Sequence, residues 1–200
     1  NKFYSLGYNV LAADARAHGD SEGTKIGMGW PERFDVIEWI KLIISWEPNA
    51  QIILHGVSMG AATVLMASGE ELPENVKAII ADCGYTSEWD EFKCEANALH
   101  IPWFPVLNAA SVISRLRDGY DFKQASALEQ VKQSRIPTLF IHGSDDELVP
   151  YSMLDKLYSA AACEKECLTV NGAGHALSSS VEPELYWNTV ESFIEKYSEK

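Results

Sequence analysis

Three short segments carry side chains from which a covalent hydrolytic step can be built. Gly56-Val57-Ser58-Met59-Gly60 sets a serine between glycines, His142-Gly143-Ser144-Asp145-Asp146 ends in an acidic pair, and Gly172-Ala173-Gly174-His175-Ala176 presents a histidine among small residues. A serine hydroxyl is a weak nucleophile until a base takes its proton, and histidine, with an unperturbed pKa of about 6.5, suits that task near neutral pH. A carboxylate behind the imidazole fixes its tautomer and stabilises the imidazolium. Ser58, Asp146 and His175 supply the three groups in that chain order, and the Met59 amide is placed to meet a developing oxyanion.

The elements that must position these groups are legible on either side of them. Ile52-Ile53-Leu54 is an apolar, β-branched run before Ser58, and Ala61 to Ala67 is a helix-forming run after it. Strand, tight turn and helix is the context that makes G-x-S-x-G a nucleophile turn. Gly56 and Gly60 are expected to remove Cβ atoms that would clash as strand and helix approach, with Ser58 held in a strained conformation. Further strands are expected at Tyr8 to Ala13, Val76 to Ala81, Pro137 to Ile141 and Cys167 to Val170. Helices are expected from Pro31, with Phe34, Ile37, Ile40 and Ile44 on one face, from Pro150 through Leu154, Leu157 and Tyr158, and from Pro183 with Trp187, Val190, Ile194 and Tyr197. This alternation predicts an α/β fold, a mostly parallel sheet of about five strands with helices on both faces. Loops at the carboxyl ends of such strands converge, which would bring Ser58, Asp146 and His175 together.

Residues 1–200 read as a single domain, large enough to bury a core without disulfides or metals. Within it, residues 83–133 read as a small cap-like insertion of short helices and loops, because Pro102 and Pro105 interrupt any long helix. Its aromatic residues Trp89, Phe92, Trp103 and Phe104, with Leu107, are candidates for an apolar substrate wall, with plain core packing as the competing explanation for each.

Acidic residues outnumber basic ones, 29 to 16, for a net charge of -13. Such a field repels phosphate backbones and anionic lipid, so neither nucleic acid nor a membrane surface is an expected partner. No apolar run reaches the length of a membrane span. Cys83, Cys94, Cys163 and Cys167 are expected to be free thiols in a reducing, cytoplasmic setting, with a local Cys163–Cys167 bridge left open. The sequence starts at Asn1 without a methionine, and an upstream segment carrying a signal or anchor is compatible with that. No His/Cys/Asp/Glu cluster has metal-ligand spacing and no G-x-G-x-x-G follows a strand, so no metal and no other cofactor is expected. Cys83 reads as a buried small hydrophobe.

The three segments, with Asp14-Ala15-Arg16-Ala17-His18-Gly19-Asp20-Ser21, resemble the signature loops of the α/β-hydrolase superfamily, especially its bacterial serine esterase and prolyl-oligopeptidase-like branches. The resemblance implies a trimmed α/β-hydrolase fold with Ser58 as nucleophile, His175 as base and Asp146 as acid, four residues after His142. Asp145 and Asp82 are the competing acids. His55 and His142 are expected to bond loop backbone, and His18 either lines the site or holds its own loop. The strands that precede the Asp14 loop in that family are absent, and with them the loop that gives the second oxyanion amide. The amide of Ala15 or Arg16, or the Arg16 side chain, is a substitute donor. An unpaired sheet edge would favour a homo-oligomer. The implied activity is a serine carboxylic ester hydrolase acting on short-chain acyl or aryl esters through an acyl-enzyme. The alternatives are a prolyl-oligopeptidase-like peptidase and a non-catalytic, truncated hydrolase module.

Overall fold

The computed structural model describes residues 2–198. Four strands, β1 (Ile52–Val57), β2 (Val76–Asp82), β3 (Thr138–Gly143) and β4 (Lys165–Val170), form one sheet in the order β1-β2-β3-β4. Every neighbouring pair is parallel, with Gly56 opposite Ala81, Ala81 opposite Phe140 and Phe140 opposite Cys167. All the strand carboxyl ends therefore lie on one side.

The helices are α1 (Lys2–Ser5), α2 (Glu32–Trp46), α3 (Met59–Ala67), α4 (Glu88–Ala98), α5 (Trp103–Asp118), α6 (Ala127–Val131), α7 (Ser152–Ala160), α8 (Ser178–Val181) and α9 (Pro183–Tyr197). Side chains alternate across the sheet, as a strand period of two requires. Leu54, Ile79, Ala81 and Phe140 point into a core with Ile40 of α2, Leu65 of α3 and Leu157 of α7. Ala78, Ile80, Leu139 and Ile141 point the other way, against Tyr186, Val190, Phe193 and Ile194 of α9. The central strands read as near-continuous apolar runs because both of their faces are covered.

The sheet has four strands rather than about five, because Tyr8 to Ala13 is not a strand. No strand among the described residues pairs with β1 on the side away from β2. The Tyr8 amide donates to the Phe3 carbonyl (3.1 Å) and not to a strand, and beyond it Val10 and Leu11 are 55% and 40% exposed. Helix α5 is broken where the prolines were expected to interrupt it: Phe104, at φ −99°, ψ 132°, is non-helical, and the regular helix starts at Pro105. Proline is tolerated in a first turn, where the amide it lacks would have no intrahelical partner. On α2, Pro31 stands at the cap and Phe34 is exposed rather than inward, with Val36, Ile40, Ile43 and Ile44 packed on the core. All four cysteines are free.

Candidate functional site

The site begins with a conformational cost. Ser58 sits between β1 and α3 at φ 54°, ψ −118°, a region that side chains rarely adopt. The turn is this tight because a Cβ on Gly56 would lie 2.2 Å from the Gly60 carbonyl oxygen and 2.5 Å from the Ala61 nitrogen. Gly60 was expected to serve the same purpose and does not, since a Cβ there meets nothing within 4 Å. Ser58 is pinned from both sides: its amide donates to the Asp82 carbonyl (2.9 Å) and its carbonyl accepts from Ala62 (3.0 Å). Met59 is the first residue of α3, where backbone amides have no intrahelical partner and the helix dipole is positive.

His175 is delivered by the loop after β4. A Cβ on Gly143 would fall 2.2 Å from the Ala173 carbonyl oxygen, so the glycine of His142-Gly143 is what lets this loop close over β3. The Asp145 amide donates to that same carbonyl (3.0 Å). One hydrogen-bonded chain results. In the tautomer a carboxylate selects, His175 Nδ1 donates to Asp146 Oδ2 (2.9 Å), and Ser58 Oγ donates to His175 Nε2 (2.8 Å).

Asp146 is buried and fully occupied. Its Oδ1 accepts the amides of Leu148 (3.0 Å) and Val149 (2.9 Å), and its Oδ2 also meets His142 Nε2 at 3.3 Å. Burial pushes its carboxyl upward. The bonds from His142, His175 and Val149 more than offset this and hold it below the usual range, so it stays ionised. His142 donates from Nε2 to the Val149 carbonyl (2.9 Å), the loop-backbone role read from the sequence, while touching the carboxylate, which sequence did not suggest.

The competitors are placed elsewhere. Asp145 accepts from Ser144 Oγ (2.7 Å), which itself accepts the Gly172 amide (2.8 Å). Asp82 accepts from Ser178 Oγ (3.2 Å) and from the Tyr186 hydroxyl, joining β2 to α8 and α9. His55 pairs with the Tyr186 hydroxyl (3.3 Å) rather than with backbone, and His18 holds its own loop through the Arg16 carbonyl (2.9 Å). The Arg16 guanidinium, a candidate second oxyanion donor, is bound twice by Asp35 of α2, at 2.7 and 2.5 Å.

The proposed wall residues form ring contacts across α4 and α5. Trp89 meets Trp103 edge-on (6.4 Å between centroids), Phe92 meets Phe122 (5.0 Å) and Trp103 meets Phe104 (6.2 Å). Leu107 is buried and Phe104 is 64% exposed. Tyr85, at the base of this region, donates to the Met28 carbonyl (2.9 Å), and Glu32 accepts the amides of Gly27 (2.8 Å) and Gly29 (2.9 Å), so the loop before α2 is tied down beside α3. Neither residue carried a signal in the sequence, because each acts on backbone. The fold also gathers Cys83, Asp146 and His175, whose ligand atoms all lie within 4.8 Å of one another. Their wide separation along the chain hid that cluster.

The sequence signature of the prolyl oligopeptidase family matches residues 27–200, which span every element of the site. The chain belongs to the prolyl oligopeptidase family. Among relatives, it is 30% identical over 199 residues to the uncharacterized protein YqkD of Bacillus subtilis, covering 98% of this chain and 65% of that one. It is 31% identical over 159 residues to lysophosphatidylserine lipase ABHD12 of Macaca fascicularis, covering 79% and 39%. The chain thus spans less than two thirds of either relative. The fold is similar to that of the Pyrococcus furiosus esterase Pf2001, with a TM-score of 0.75, 24% identity and coverage of 98% and 73%. It is also similar to a Pyrococcus horikoshii acylaminoacyl peptidase, with a TM-score of 0.63, 19% identity and coverage of 86% and 29%. For this member of the prolyl oligopeptidase family the architecture is the α/β-hydrolase fold. Among the described residues, no helix is long and apolar enough to cross a membrane.

Proposed function

We propose that this chain is a serine hydrolase whose substrates are carboxylic esters with short acyl or aryl groups. The observation that carries the reading is the unbroken chain of bonds from Ser58 Oγ through His175 to a buried, ionised Asp146. Ser58 Oγ attacks the ester carbonyl as His175 Nε2 takes its proton, and the Met59 amide stabilises the oxyanion. Collapse expels the alcohol, which leaves with the proton from His175. A water then gives its proton to His175 and attacks the acyl-enzyme, and collapse releases the acid as His175 returns that proton to Ser58 Oγ. Trp89, Phe92, Trp103, Phe104 and Leu107, in the cap-like stretch 83–133, form the apolar wall for the acyl or aryl group. The esterase among its structural neighbours and the lipase among its relatives support ester chemistry.

Membership of the prolyl oligopeptidase family favours a second reading, a peptidase on the same three residues. Intact-protein mass after fluorophosphonate treatment, with Ser58→Ala as control, tests both readings at once, and ester and peptide panels then separate them. Stoichiometric labelling lost in the variant is expected, with turnover of esters that declines as the acyl chain grows. A folded protein that never labels leaves the reading of a non-catalytic module. We also propose that β1, paired on one side only, associates with a second copy. A strict monomer by light scattering removes that part.

A further inference from the structure

Cys83 follows the last residue of β2 and stands at φ 48°, so its side chain leaves the alternation of the strand. Its sulfur comes to rest against the imidazole and the carboxylate of the proposed relay, each ligand atom within 4.8 Å of the other two. Cys83 and Asp146 are buried, and the His175 side chain is 21% exposed, which gives the group one open approach. The backbones of Ser58 and Ala176 favour the ionised sulfur, and both residues also hold positive φ, at 54° and 57°. Three strained loops thus hold the group in place.

Sulfur, imidazole nitrogen and carboxylate oxygen are a donor set for zinc. Bond lengths of about 2.3, 2.0 and 2.1 Å in tetrahedral geometry set donor–donor separations of about 3.3 to 3.6 Å, so no pair has more than about 1.5 Å to close. Three protein ligands leave a fourth position for water or for Ser58 Oγ. Magnesium and calcium, which take oxygen ligands at longer range or with many waters, do not match it. We propose that Cys83, Asp146 and His175 form an inhibitory site for a zinc ion, which holds the enzyme in a resting state. The role as an inhibitor rests on the hydrolase reading, and the coordination itself does not. Both ring nitrogens of His175 are already engaged, Nδ1 by Asp146 and Nε2 by Ser58, so the metal can bind only by displacing one of those bonds. Cys83 loses its proton to solvent on coordination.

Cobalt(II) is the spectroscopic probe and zinc the inhibitor, both applied to the full chain. Cobalt titration of the native protein is expected to raise a near-ultraviolet sulfur-to-metal charge-transfer band, which Ser58→Ala retains and Cys83→Ser and Cys83→Ala lack. Zinc, unlike magnesium or calcium, is expected to slow fluorophosphonate labelling reversibly, with chelator restoring the rate. In whichever cysteine variant keeps the native circular dichroism spectrum, the zinc needed should rise at least about tenfold. A native protein without the band, or one whose sensitivity to zinc survives loss of Cys83, overturns the site. A native protein that shows the band and never labels leaves the metal site standing and overturns the hydrolase reading.

Discussion

Two regions of this molecule announce themselves equally in the sequence and differ in the structure. The loops that carry Ser58, Asp146 and His175 each emerge from a strand with at least one hydrogen-bonded neighbour, and they converge within hydrogen-bonding distance. The stretch Asp14 to Ser21 is as recognisable a motif, yet it follows coil. Its bonds are local, Asp20 amide to Asp14 carboxylate, Ser21 hydroxyl to Asp14 carbonyl and Ala17 amide to Glu22 carbonyl, apart from the ion pair from Arg16 to Asp35. A motif supplies chemistry, and a paired strand supplies its address.

The sharpest way to break the contrast is to substitute one group on each side. Ser58→Ala should lower kcat by about 10⁶ without altering the melting temperature much, as read by ester hydrolysis and thermal unfolding. The next largest effect concerns the turn itself. Gly56→Ala forces a Cβ into the Gly60 backbone and should cost about 3 kcal/mol in denaturant unfolding, whereas Gly60→Ala, with nothing to strike, should change stability by about 0.5 kcal/mol or less. Equal costs at the two glycines would mean that the turn is not closed as described.

His142→Leu removes the donor shared by the Val149 carbonyl and Asp146, a charged-group bond of about 1.5 to 3 kcal/mol. An activity loss of about 10- to 100-fold is expected. The acid limb of the pH profile should also move upward, because the Asp146 carboxyl is no longer held down as far. A smaller effect separates the cap-like stretch from the sheet. Burial, then Glu32 and Asp118, push the Glu88 carboxyl of α4 up to about 8, and its Oε2 has no hydrogen-bond partner. Between the unfolded value near 4.5 and the folded one near 8, the native state keeps a proton that the unfolded chain has released, so stability falls as pH rises through that window. Glu88→Gln should flatten that decline and gain about 1 kcal/mol or more at pH 8 in denaturant unfolding. Last comes Arg16→Ala. Its ion pair is more than a third exposed on both sides, so a loss below about 1 kcal/mol and unchanged labelling are expected. A large drop in labelling would bring the Asp14 loop back into the chemistry.

What could be read in advance follows the same division. Ser58, Asp146 and His175 were readable because each lies within a few residues of a strand end, where residue type and spacing are coupled. Their contacts come from the geometry of the parallel sheet. Tyr8 to Ala13 has the composition of a strand, and composition cannot say whether a partner strand lies beside it. Gly60 shows a related limit, since a motif glycine looks the same whether its missing Cβ matters or not. The contact of His142 with Asp146 depends on how one loop folds back on its own strand end, and the convergence of Cys83 with both Asp146 and His175 involves positive φ at Cys83 and Ala176 that residue identity outside glycine does not forecast.

The bond between Ser58 and His175 spans 117 positions along the chain. During synthesis the serine leaves the ribosome long before its base exists, and His175 cannot reach it until β3 and β4 have paired in register. On the proposed reading a nascent chain is therefore chemically silent, and its nucleophile ripens only when β4 docks. Fluorophosphonate labelling read against chain length would time the completion of folding as directly as it reads catalysis.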